Sequence, residues 1–183
     1  MLVIGPARSG KSEWAERLAD QSGKAVIYVA TAQVDPTDLE WQERIAQHQR
    51  RRPAHWQTVS VPVDLSSCIR NGKTDECLLV DSLGTWLANL LEQDASAWEQ
   101  TLQDLLNALQ ETAADVIFVA EETGWGVVPA YPIGRLFRDR LGTLTRHIGR
   151  IANPVYLVTG GHVLDLSRLG QPLPPLEPNL GKP

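Results

Sequence analysis

Gly5-Pro6-Ala7-Arg8-Ser9-Gly10-Lys11-Ser12 fits G-x-x-x-x-G-K-[ST] without a mismatch, a spacing suited to polyphosphate. A glycine-bearing turn that opens a helix aims several backbone N–H groups at one point, where an anion is held. Gly5, Pro6, Ala7, Arg8, Ser9, Gly10, Lys11 and Ser12 are therefore candidate contacts for a nucleoside triphosphate. Lys11 has the reach for the β- and γ-phosphates, and the Ser12 hydroxyl suits Mg²⁺. Leu78-Leu79-Val80-Asp81 is an apolar run ending in an acid. That is the form of an element whose aspartate holds Mg²⁺ directly or through water. The competing role for Asp81 is N-cap of the helix opening at Ser82-Leu83.

Two further clusters carry chemistry. Glu121 and Glu122 end another apolar run and precede Gly124, Trp125 and Gly126. Their carboxylates fall near the expected phosphates, and Trp125 is either a ligand platform or a residue packed on the rim. Between Glu43 and Trp56 a helical stretch ends in Arg50, Arg51 and Arg52 and is stopped by Pro53. This is either a solvated basic helix end, favoured by the macrodipole, or an anion site. His48 lies within it, where neighbouring cations disfavour the imidazolium. A neutral imidazole near phosphates is a competent nucleophile for phosphorus.

Short Val/Ile/Leu runs must position these groups. Strands are expected at Leu2–Ile4, Val26–Ala30, Cys77–Asp81, Val116–Ala120 and Val155–Thr159. Helices are expected near 11–21, 38–50, 83–92, 97–113 and 133–151. Trp98, Leu102, Leu105, Leu106 and Leu109 recur at helical spacing and read as core. The alternation predicts a doubly wound, mostly parallel α/β sheet, with ligands at the carboxyl ends of its strands. At 183 residues the chain suits one domain, expected over 1–169. Residues 170–183 form a Pro-rich tail that suits neither helix nor ladder. The formal charge of -5 argues against a nucleic-acid partner. The sequence shows neither a membrane-spanning run nor an N-terminal signal. Cys68 and Cys77 lie in no metal or redox spacing and read as reduced thiols in a cytoplasmic protein.

The ordered motifs resemble the bifunctional adenosylcobinamide kinase/adenosylcobinamide-phosphate guanylyltransferase family. They are GPARSGKS at 5–12, Tyr28 through Gln33, and Arg44-Ile45 with His48 and Arg52-Pro53-Ala54-His55-Trp56. Leu79-Val80-Asp81 through Leu91, Glu122 through Pro129, and Arg135-Leu136-Phe137-Arg138-Asp139 follow. The resemblance implies a RecA-like P-loop domain and a homotrimer. It also implies two reactions, phosphorylation of a corrinoid hydroxyl by ATP or GTP and then transfer of GMP from GTP, with pyrophosphate released. The GMP passes through a histidine adduct, and the motif histidine falls on His48. Thr31, Ala32 and Gln33 would then meet guanine or ribose. Gln49, Arg50, Arg51 and Arg52 would contact the nucleotide, and Ser60 stands near a position where relatives carry a nucleotide-binding glutamate. Several positions depart from the pattern. Gln47-His48 replaces paired histidines, with His55 as the fallback nucleophile. Glu121 stands where asparagine is common, and Thr145-Arg146 replace Asn-Gln. The segment from Gly160 onward is atypical. Two other functions stay open, a P-loop small-molecule kinase without nucleotidyl transfer and a nucleotide-binding regulator.

Overall fold

A computed structural model of the protein describes residues 1–33, 37, 43, 50 and 52–174. Seven strands form one sheet, in chain order β1 (Leu2–Gly5), β2 (Ala25–Ala30), β3 (Gln57–Ser60), β4 (Glu76–Asp81), β5 (Asp115–Glu121), β6 (Val155–Thr159) and β7 (His162–Asp165). Across the sheet they run β3-β2-β4-β5-β1-β6-β7. Every pairing is parallel except β6 with β7. The described helices are α1 (Lys11–Asp20), α2 (Leu65–Arg70), α3 (Leu83–Ala88), α4 (Ala95–Glu111), α5 (Pro132–Ile151) and α6 (Leu166–Leu169). The expected strands and the parallel α/β architecture are all present.

Strand alternation divides the core into two layers. Val3, Val26, Tyr28, Cys77, Leu79, Ile117 and Val119 face α1, whose Ala15 and Ala19 permit close approach. Leu78, Val80, Phe118 and Ala120 face the opposite layer, built around Trp86, Trp98, Leu102, Leu105, Leu141 and Leu144. The stripe on α4 is core, as its periodicity predicts, with Trp98, Leu102 and Leu105 buried. Parallel strands covered on both faces require such continuous apolar runs.

Several local outcomes differ from the sequence expectations. The helix expected over 83–92 stops at Ala88, where Asn89 N–H bonds to Trp86 O and Leu90 N–H to Leu87 O in tighter i→i−3 turns. The Asn89 amide donates to Thr31 O and Pro62 O, both at 2.8 Å, joining that turn to the end of β2. Edge strand β3, the return strand β7 that makes a hairpin with β6, and the short helices α2 and α6 have no counterpart among the expected elements. Gly160 (φ 57°) and Gly161 (φ 76°) make the hairpin turn in left-handed backbone. The expected helix over 38–50 lies largely outside the described residues.

Buried Arg140 of α5 braces the turn before α4. It donates to Gln93 O at 2.7 Å, and its guanidinium lies 5.2 Å from the Trp98 ring centroid. No helix among the described residues is long and apolar enough to cross a membrane.

Candidate nucleotide site

The sheet order places β5 between β1 and β4, so the phosphate loop and Asp81 emerge two strands apart, about 10 Å at ordinary strand spacing. Helix α1 closes that distance. Its first turn leans across the carboxyl edge, and Ser12 Oγ lies 3.4 Å from Asp81 Oδ1. The N-cap of α1 is Gly10 at φ 91°, without a side-chain cap, so no side chain of the N-cap residue claims the first-turn amides. Gly5 is required by space, because a Cβ there would collide with Val158 O and would lie 2.7 Å from Ser9 Oγ. Ser9 Oγ is buried without a partner, an unmet donor inside a loop shaped for anions. Lys11 is buried, with its Nζ 3.4 Å from Pro6 O. Pro6 is half-buried, and Ala7 and Arg8 are exposed on the outer side of the loop.

Asp81 does not cap α3; that role belongs to Ser82, whose side chain accepts from Thr85 N–H. The Asp81 carboxylate instead accepts at Oδ2 from the Tyr28 hydroxyl at 2.9 Å. Burial first, and then the Asp81 charge, push the Tyr28 phenol well above its usual pKa, so it donates to the carboxylate. The Arg52 guanidinium sits 3.2 Å from the centre of the Tyr28 ring, and its Nε is buried without a partner. A hydroxyl and a carboxylate facing one another at the phosphate loop form a donor set that suits Mg²⁺, which takes few protein ligands and keeps several waters. Among the described residues, no group of three or more His, Cys, Asp or Glu side chains gathers to hold a metal.

The remaining candidates separate by position. Thr31 directly follows β2, but its side chain is fully buried. Its hydroxyl donates to Ser82 O at 2.8 Å and accepts from Ser82 N–H at 3.0 Å. That pairing commits the Thr31 hydroxyl to the Ser82 backbone. Ala32 is half-buried and Gln33 exposed just beyond. Ser60 is exposed at the end of edge strand β3, paired in register with Ala30. It lies four strands from the phosphate loop, nearly 20 Å by strand spacing. Arg50 is exposed. His48, Gln49 and Arg51 lie outside the described residues. His55 is exposed beside buried Trp56.

The structure adds Tyr28 to the site and seats Glu122, already a candidate, beside the phosphate loop. Tyr28 is the single polar aromatic in the aliphatic strand AVIYVA, a signal that was legible. The paired acids divide their tasks. Glu121 accepts from Gly84 N–H at 3.0 Å and so holds the start of α3. Glu122 gives its backbone N–H to Gly5 O at 2.9 Å, seating it at the mouth of the phosphate loop. Its carboxyl is half-buried, and burial raises its pKa. Trp125 stands 64% exposed on the loop beyond, where it does not pack down on the rim.

Comparison with known proteins agrees with this geometry. Residues 1–166 match the family "Cobinamide kinase / cobinamide phosphate guanyltransferase". The bifunctional adenosylcobalamin biosynthesis protein CobP of Pseudomonas aeruginosa is 42% identical, over 94% of this chain and 98% of that protein. CobU of Escherichia coli is 37% identical, over 88% of this chain and 96% of that protein. Among solved structures, a Pyrococcus horikoshii OT3 protein superposes with TM-score 0.55 at 7% identity, covering 90% of this chain and 84% of that one. A prototypical ATPase of a bacterial type III secretion system does so with TM-score 0.52 at 10% identity, covering 92% of this chain and 52% of that one. These two likenesses show a shared α/β fold. The motif order and the match along nearly the whole chain lead to one conclusion: this chain belongs to the cobinamide kinase / cobinamide phosphate guanyltransferase family.

Proposed function

We propose that this chain performs both reactions of its family at one nucleotide site. It phosphorylates adenosylcobinamide with ATP or GTP, then transfers GMP from GTP to the product, giving adenosylcobinamide-GDP and pyrophosphate. The observation that carries this reading is the convergence of the phosphate loop, Asp81 and Arg52 at one edge of a chain that matches the family over residues 1–166.

In the kinase step the acceptor hydroxyl oxygen attacks the γ-phosphorus, the bond from it to the β-bridging oxygen breaks, and the nucleoside diphosphate leaves. Lys11 and the loop amides stabilise the phosphate oxygens. Glu122 is the carboxylate we assign to take the hydroxyl proton. In the transfer step a His48 ring nitrogen attacks the α-phosphorus of GTP. An N–P bond forms, the α–β bridging bond breaks and pyrophosphate leaves. A phosphate oxygen of the acceptor then displaces the imidazole, so one site serves a bulky second substrate. Arg52, with Arg50 and Arg51, meets the charge that develops on phosphate oxygens. Mg²⁺ held between Ser12 and Asp81 would supply charge neutralisation at those oxygens.

Purified protein given adenosylcobinamide and GTP should yield adenosylcobinamide-GDP and pyrophosphate, read by mass spectrometry. A phosphorylated corrinoid without the GDP product would favour a kinase alone. Nucleotide binding without any corrinoid turnover would favour a regulator.

Glu122→Gln should lower the kinase step about a hundredfold, the lower end of general-base effects, while GMP labelling of the protein continues. The pH profile of the wild-type kinase step should support the same assignment. A base must be ionised, so the rate should fall with decreasing pH through a pKa above the ordinary glutamate value, the direction in which burial moves Glu122. An unchanged kinase rate in the variant would remove Glu122 from this role.

The homotrimer belongs to this reading, and the exposed Trp125, Val127, Val128, Tyr131 and Ile133 offer an apolar surface for it. Sedimentation velocity should give a species of three chains, and a monomer at micromolar concentration would exclude it. Cytoplasmic residence is supported by two free cysteines; recovery in a secreted fraction would count against it.

A further inference from the structure

We propose that Tyr28 is a positioning residue that couples the two halves of the site, its hydroxyl orienting Asp81 for the metal–nucleotide complex while its ring seats Arg52. The inference rests on the reading of Ser12 and Asp81 as the metal pair. Register carries the first part. In the β2–β4 ladder Tyr28 pairs with Leu79 and Ala30 pairs with Asp81. Tyr28 and Asp81 are therefore diagonal neighbours on the α1 face, a distance that long side chains span. A leucine or phenylalanine at this position would fill the same apolar layer. The hydroxyl, directed at Asp81 Oδ2 over 2.9 Å, is not demanded by packing.

Its consequence is orientation. A carboxylate turns freely about its terminal bond. Fixing Oδ2 on Tyr28 leaves Oδ1 turned to Ser12 Oγ, 3.4 Å away. The other end of the coupling is the Arg52 guanidinium, 3.2 Å from the ring centre. A cation on an aromatic face is held by the ring quadrupole. Its Nη1 also reaches Thr58 Oγ1 at 3.5 Å. Its buried Nε, without a partner, remains for an anionic ligand. One side chain thus ties the Mg²⁺ carboxylate to the arginine that closes the basic segment, so metal binding and phosphate contact are set together.

The test uses Tyr28→Phe in the full chain, which keeps the ring and removes the hydroxyl. A fluorescent GTP analogue is titrated with the variant and the wild type in EDTA and at increasing Mg²⁺, and bound Mn²⁺ is counted by electron paramagnetic resonance. Outer-shell partners of metal ligands typically contribute 10–100-fold in metal affinity. The variant should need about tenfold more Mg²⁺ for half-maximal nucleotide binding, with weaker Mn²⁺ retention. Its affinity in EDTA should stay within about twofold of wild type, because the seat of Arg52 is intact. Superimposable Mg²⁺ curves would overturn the proposal. So would an equal loss of affinity with and without metal, which marks a merely structural role, or a wild-type affinity indifferent to Mg²⁺. No corrinoid enters the experiment, so its outcome stays separate from failure of the product assay for the two reactions.

Discussion

With His48 replaced by alanine, α-labelled GTP should leave no GMP on the protein, while phosphorylation of adenosylcobinamide continues at close to the wild-type rate. In the wild type the label should survive base and be lost in acid. An N–P bond to imidazole behaves this way because protonation converts the ring into a good leaving group. The kinase step transfers the γ-phosphoryl directly and needs no imidazole. Chain geometry supports the assignment. Arg52 lies four residues after His48, a span of at most about 14 Å, and Arg52 stacks on Tyr28 beside Asp81. Full labelling of the variant would move the nucleophile elsewhere, with exposed His55 the first residue to examine.

Lys11→Ala should have the opposite breadth, lowering both reactions by on the order of a thousandfold, as expected when a cation that meets transition-state phosphate charge is removed. Lys11 is buried at the first turn of α1 with its amine against the loop carbonyl of Pro6. Its charge therefore stays on the inner side of the phosphate loop, where solvent screens it least. The same cation serves γ-phosphate in one reaction and the departing pyrophosphate in the other, so a single site requires both to fall together. Rates for each step, with thermal unfolding as a check on folding, decide the matter. Loss of one reaction with retention of the other would mean two separate nucleotide sites.

The contrast between these variants also shows which parts of the site were legible beforehand. The phosphate loop is local chemistry: eight consecutive residues set the turn, the cation and the hydroxyl, and a helix follows because the next residues favour one. Asp81 was legible as an acid ending an apolar strand, but its competing role as a cap was closed only when Ser82 proved to hold that position. Thr31 shows the reverse. Its place at a strand's carboxyl end suggested ligand contact, yet its hydroxyl pairs with the Ser82 backbone across the sheet. That partner lies about fifty residues away in sequence, and no local pattern announces it.

Secondary structure divides along the same line. Strands buried on both faces declare themselves through unbroken apolar runs. The edge strand β3, QTVS, has mostly exposed side chains and carries no such signal, since its pairing with β2 depends on backbone bonds. The Gly160-Gly161 pair is a local hairpin mark, and it joins β6 to β7.

By itself, then, the sequence determined the P-loop α/β class, the family and the chemistry expected of Lys11, Ser12, Asp81 and His48, because each rests on residue type and short spacing. The tertiary structure alone decided that β5 lies between β1 and β4, that Ser12 nonetheless faces Asp81 across that gap, and that Tyr28 joins Asp81 to Arg52. Strand order and diagonal register are global properties of a packed sheet. They follow from burying both faces at once, and no short stretch of chain carries that information.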